Sequence, residues 1–218
     1  MHIDCQALGC LKCCQTYWIS LLPKEAENIA KSQRLSLSEF LQKNCLLDLQ
    51  VFPANKPAAL TIPVRFFSET AQQKIQEYFG RFPPYLMALP GVVLQREKNG
   101  NCVFLDSKTG LCKTYETRPG QCRLFPFISI DNEPLHHSYP FCRYLENQKP
   151  LENPFRKDQS RHFEAVTDYF DAITVKGFDS VWTAYPKKGI VRLGGKVIDH
   201  LNENQFKKLL KRFSPTPT

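Results

Sequence analysis

CVFLDSKTGLCKTYETRPGQCRLFPF, residues 102–127, spaces three cysteines at even intervals: Cys102, Cys112 and Cys122. Nine residues between one cysteine and the next are too many for a single metal knuckle. They suit side chains carried on successive turns or strands and brought to a common point. Turn signals fall where that requires them, at NGN (99–101) and SKTG (107–110). GVVLQRE (91–97) reads as a strand, so a hairpin is expected from it through NGN into CVFLD. QCRLFPFISI (121–130) is apolar enough for a second strand pair. The stretch therefore predicts short irregular elements around a cysteine centre.

The partners for these thiols stand near the start. DCQALGCLKCC, residues 4–14, holds Cys5, Cys10, Cys13 and Cys14, and YPFCRY adds Cys142. The chain has 218 residues, 42% of them hydrophobic and 12% aromatic, which is enough for a core without covalent staples. Nine cysteines exceed that need, and an odd number cannot all pair internally. No apolar run of seven residues precedes Cys5, so no secretory signal is expected, and no stretch approaches the 18 apolar residues of a membrane span. A cytoplasmic location follows as an expectation, with thiols kept reduced and used for metal or redox chemistry.

Thiolates are soft anionic donors for zinc and iron, and a tetrahedral zinc or a [4Fe–4S] cluster takes four. Cys10-x2-Cys13 lets one turn present two sulfurs. Cys14 is expected to diverge from its neighbour, so the N-terminal segment would serve two sites or one multi-metal cluster. Cys45, among Phe40, Leu41, Leu46 and Leu47, reads as a buried small hydrophobe. Setting it aside leaves eight thiols, enough for two four-thiolate sites. A redox pair at Cys10 and Cys13 is the rival, and it leaves the later cysteines unexplained. His136-His137 reads as a solvent-facing turn pair.

Elsewhere, LPKEAENIAKSQ (22–33) predicts a helix with Pro23 in its first turn. Ser36 and Glu39 stand at capping-box spacing for a second helix running to about Cys45. Prolines 53, 57 and 63 interrupt residues 50–66, and PAALTIPVRFF (57–67) reads as extended or edge strand. SETAQQKIQEYF (68–79) is helical, and RFPPYLMALPG is a proline-broken connector. NQKPLENP (147–154) is the expected boundary between a metal-chelating domain, 1–150, and a helical C-terminal extension, 151–218. In that extension, 162–173 shows helical periodicity, IVRL reads as a strand before Gly194-Gly195, and a last helix is expected at about 203–213. The net charge of +8 divides evenly between the two parts. The lysines of QFKKLLKRF are read as a solvated helix face, so a nucleic-acid partner is not favoured. No nucleotide-binding, P-loop, nucleophile-elbow or zinc-protease motif is present.

The pattern CxxCC followed by CxFLD…GxCxxYxxRPxxCRxFPF resembles the YkgJ-type cysteine-cluster family, described as a zinc- or iron-chelating domain. The matching residues are Cys10, Cys13 and Cys14; Cys102, Phe104, Leu105 and Asp106; then Gly110, Cys112, Tyr115, Glu116, Arg118, Pro119, Cys122, Arg123, Phe125 and Pro126. The likeness covers roughly residues 5–145. The family commonly opens CxxCxxCC, whereas four residues separate Cys5 from Cys10 here, and Cys5 departs from the pattern. The resemblance implies metal chelation. One similar branch is the flagellin lysine N-methylase, which implies methyl transfer as an alternative, although no glycine-rich turn after a strand is present to hold S-adenosylmethionine.

An α+β protein built around a cysteine-bound metal centre is therefore expected. Cys5, Cys10, Cys13, Cys14, Cys102, Cys112, Cys122 and Cys142 are the candidate ligands. Tyr115, Arg118 and Arg123 are expected just behind them, supplying donors to charged sulfurs. For Arg118 the alternative is an ion pair with Glu116 or Asp106. Zinc and an iron–sulfur cluster are both open, with the vicinal pair favouring iron–sulfur. A metal-dependent transfer or redox enzyme and a zinc-stapled nucleic-acid- or protein-binding module are the rival functions.

Overall fold

The computed structural model describes residues 8–56, 60–128, 139–146, 153 and 155–211. It is an α+β fold built on one mixed six-stranded sheet. Six strands appear in chain order: β1 (Ser20–Leu21), β2 (Cys45–Ala54), β3 (Thr61–Pro63), β4 (Tyr85–Leu94), β5 (Gly189–Leu193) and β6 (Lys196–Leu201). They lie in the order β1-β4-β2-β5-β6, with β3 also paired to β4. Among the described strands only the β2–β5 pairing is parallel. The helices in the first half are α1 (Lys12–Thr16), α2 (Pro23–Ser32), α3 (Leu37–Asn44), α4 (Glu69–Phe79) and α5 (Gly120–Leu124). Those in the second half are α6 (Arg143–Glu146), α7 (Arg156–Lys176), α8 (Phe178–Val181) and α9 (Glu203–Leu210).

The helix signals place α2, α3 and α4 where the sequence predicts them. Pro23 occupies the first turn of α2, and Glu25 accepts from the Leu22 N–H at 3.0 Å. Ser36 caps α3 by accepting from the Glu39 N–H at 3.2 Å, while Glu39 accepts from the Ser36 N–H at 2.9 Å. Ser36→Ala should therefore cost about 1 kcal/mol of stability, read from the urea midpoint.

The prolines mislead more than the helices. β4 begins at Tyr85 and passes through Pro90, where a connector is expected; β2 passes through Pro53. Both are tolerated because of the direction in which their missing N–H would point. The Ala88 N–H donates to Leu60 O and the Leu94 N–H to Ile19 O, so the even positions of β4 face its outer edge. There Pro90 falls in the gap between β3, which ends its pairing at Met87, and β1, which begins at Val92. Its carbonyl instead accepts from the Tyr169 hydroxyl at 3.1 Å, and Trp182 Nε1 donates to that hydroxyl at 3.1 Å. In β2 the Leu47 N–H faces β5, and Pro53, six residues on, faces the same way beyond the last β5 partner at Gln50. Neither proline removes a ladder bond.

The expected strand pair at 121–130 is instead the single helical turn α5, whose Cys122 and Arg123 N–H groups donate to Pro119 O. Residues 129 and 130 lie outside the described residues. Gly194 and Gly195, both at positive φ (53° and 79°), form the two-residue turn between β5 and β6. The sheet crosses the boundary expected at residue 150, since β5 lies beside β2 in its interior. The main core likewise runs from Ile19 to Leu210. In α9, Phe206, Leu209 and Leu210 are buried and Lys207 pairs with Glu203, as the solvated-face reading requires; Arg212 and Phe213 lie outside the described residues. Among the described residues, no helix is long and apolar enough to cross a membrane.

Candidate metal centre

The centre is assembled by two tight turns and one short helix. After β4 the chain reverses at Asn99–Asn101, with the Glu97 N–H donating to Asn101 O at 2.8 Å and Arg96 bridging Cys102 across the turn. It reverses again at SKTG. There Asp106 Oδ1 accepts the N–H groups of Lys108 and Thr109 at 2.9 and 3.0 Å, and Leu105 bridges Cys112. Asp106 is thus occupied in shaping its turn. Phe104 stacks on Phe40 of α3, centroids 6.2 Å apart, and fixes this double hairpin to the core. The N-terminal segment joins it directly: the Cys102 N–H donates to Cys14 O at 2.8 Å.

One cavity of about 60 Å³ is lined by Cys10, Cys13, Cys14, Cys102, Cys112 and Cys122. Small-molecule sites usually measure ~300–1,000 Å³, so this space is small beside them and is large enough for ions. Cys142 does not line it but packs beside Cys13 in the small cluster formed with Phe125 and Leu145. Cys5, His136 and His137 lie outside the described residues. Cys45, 1% exposed, belongs to the main core at the start of β2.

Cys13 and Cys14 do not diverge. They sit on α1, where neighbouring side chains are only ~100° apart instead of opposed as on a strand. Their thiols hydrogen-bond to one another. That bond lowers Cys13 to about 7 and raises Cys14, so the pair gives up one proton readily and holds the other. Burial pushes Cys102 and Cys122 up, and neighbouring sulfurs push them further. Cys142 is raised by burial and then by Cys10 and Cys13. Clustered thiols that oppose each other's ionisation form a donor set whose stress a bound cation relieves. As placed, no three His, Cys, Asp or Glu side chains among the described residues surround a common ion position. The donors fit zinc or iron in kind, and six of them share one cavity.

Arg118 lines the thiol cavity and is 8% exposed. Its Nε donates to Tyr115 O at 2.9 Å, and its guanidinium lies 3.6 Å from the centre of the Tyr115 ring. It makes no ion pair with Glu116, Asp106 or any other described carboxylate. Arg123 is placed differently: it is exposed and lines a cavity on the other side of α5. The sequence reading missed Arg96. It stands across the hairpin from Cys102, with its guanidinium 5.5 Å from the Trp18 ring and Nε donating to Gly100 O at 2.7 Å. Burial pulls its guanidinium below the usual arginine value, and the neighbouring Cys102 and Cys14 oppose that shift. The signal was available, since the predicted turn at 99–101 sets position 96 opposite 102.

Among curated proteins, the chain is similar to "Uncharacterized protein MJ0661" of Methanocaldococcus jannaschii, 34% identical over 77 residues. That alignment covers 34% of this chain and 42% of the relative, so the chain spans less than half of the relative's length. No solved structure matches the chain. A model of the CxxCxxCC family, described as "Putative zinc- or iron-chelating domain", matches residues 4–143, more than half of the chain. The cysteine pattern, the thiol-lined cavity and that match agree, and the chain belongs to the CxxCxxCC family.

Proposed function

We propose that the protein binds an iron–sulfur cluster, or failing that zinc, through Cys10, Cys13, Cys14, Cys102, Cys112 and Cys122, with Cys142 and Cys5 completing the set. The observation that carries this reading is a buried guanidinium, with no carboxylate paired to it among the described residues, beside six thiols on one small cavity. Burying an unpaired cation is costly, and metal-bound thiolates would supply its counter-charge. Gathering six sulfurs on one cavity favours a shared multi-metal unit over two separate tetrahedra. When bound, such a group supplies either a structural staple or a redox centre. The chain's own residues supply the enclosure, the anionic donors and the arginines that hold their charge. A reducing compartment such as the cytoplasm suits free thiols.

Anaerobic purification with metal and acid-labile sulfide analysis and a visible spectrum tests this. A brown preparation containing iron and sulfide is the expected result. A colourless one with zinc would move the assignment to zinc, and a metal-free, colourless protein would end the reading.

A further inference from the structure

Helix α5 separates two cavities. Cys122 lines the thiol cavity, whereas Gly120, Arg123 and Leu124 line a second one closed by α7. The second cavity measures about 530 Å³. That lies within the ~300–1,000 Å³ typical of small-molecule sites. Its apolar part includes Leu124 and Phe155, which pack together in a small cluster of their own.

The polar groups around it differ in what they have left to offer. Both oxygens of Glu25 are taken, one by the Leu22 N–H at 3.0 Å and the other by the Gly120 N–H at 2.6 Å. Asp158 lies 3.7 Å from Arg161. Arg123 and His162 make no hydrogen bond or ion pair with another described residue. His162 reaches in against Gly120, where a Cβ would stand 2.6 Å from its Nδ1. The absence of a side chain at 120 is what makes room for the imidazole. Glu116 is likewise unpaired among the described residues, so the cavity sets the donors of Arg123 and His162 and the acceptor Glu116 beside an apolar wall.

We propose that this cavity binds a small molecule bearing an oxyanion, a carboxylate or a phosphate monoester. Its charged oxygens would sit on Arg123 and His162, and its carbon skeleton on Leu124 and Phe155. The planar fork of arginine matches either group. Arg161 adds a second cation at the rim. Glu116 and Asp158 at the same rim disfavour a polyanion and leave Glu116 to accept from a hydroxyl or ammonium on the ligand. Arg123 directly follows Cys122, so, if the metal reading above holds, the bound molecule sits one residue from a ligand of the centre.

Titration of the full chain with acetate and, separately, inorganic phosphate, followed by histidine ring NMR signals, tests this and distinguishes the two ligand chemistries. Saturable binding of at least one probe is expected. Arg123→Ala should weaken it by about 10- to 100-fold, the usual worth of a hydrogen bond to a charged group, with Arg123→Lys restoring part. Lys207→Ala, at a surface lysine paired with Glu203, should leave binding unchanged. Failure of both probes to saturate, or equal weakening by Arg123→Ala and Lys207→Ala, overturns the proposal. Metal content measured on the same samples keeps the two readings apart: loss of probe binding with metal retained counts against this cavity alone.

Discussion

Asp48→Ala should cost about 3–5 kcal/mol of stability, because it strands a buried guanidinium. Asp48 on β2 and Arg192 on β5 have side chains only 6% and 9% exposed. Arg192 Nε donates to Asp48 Oδ1 at 2.7 Å, and its Nη2 donates to Oδ2, a two-pronged pairing. It ties the parallel register Leu47↔Gly189 to Gln50↔Arg192, which holds the β5–β6 hairpin in the sheet. The check is urea unfolding, with a lowered midpoint and an unchanged slope. Asp48→Leu combined with Arg192→Met should recover most of the loss, since neither charge then needs desolvating. A cost for Asp48→Ala below about 1 kcal/mol, the value of an exposed pair, would show that water reaches it.

This ion pair was invisible in the sequence, and the reason is physical. Asp48 and Arg192 are far apart along the chain, and only the parallel β2–β5 pairing brings them together. Local signals were readable: the capping box at Ser36 and Glu39, the turn at 107–110 and the proline that opens α2. Pro90 misled because a proline reports a missing N–H without saying which edge of the strand it faces, whereas Thr61–Pro63 is the edge strand that its prolines suggest. Position 90 coincides with a gap between two short partners, a fact of tertiary pairing. The thiol-lined cavity was legible to a similar depth. Even spacing of Cys102, Cys112 and Cys122 announced convergence, and the structure joins three of the N-terminal cysteines to them. The relation of Cys13 to Cys14 depended on local conformation, and α1 is too short to announce itself by periodicity. Arg123 is adjacent to Cys122 in sequence, but α5 turns it to the opposite side. Adjacency along a chain is a poor guide to which cavity a side chain serves.

Cys122→Ser should abolish metal retention, and Cys14→Ser should do so with Cys10 and Cys13 intact, whereas Arg118→Ala should weaken retention by about 10- to 100-fold. Serine offers a poor donor to zinc or iron, so a ligand change removes a bond to the metal. Arg118 touches the centre through charge alone, from a buried seat on the Tyr115 ring. The guanidinium favours the ionised forms of Cys13 and Cys122. Removing it raises the pH at which protons displace the metal from these sulfurs, because binding requires thiolates. Metal retained as a function of decreasing pH should therefore fall off at a higher pH in Arg118→Ala than in the unaltered chain. Arg118→Lys should lie between them, keeping a charge but losing the planar stack. An identical pH profile for Arg118→Ala would remove the arginine from the charge balance of the centre. Complete metal loss, equal to that of Cys122→Ser, would make Arg118 part of the scaffold itself, holding the turn between Tyr115 and α5 on which Cys122 is carried.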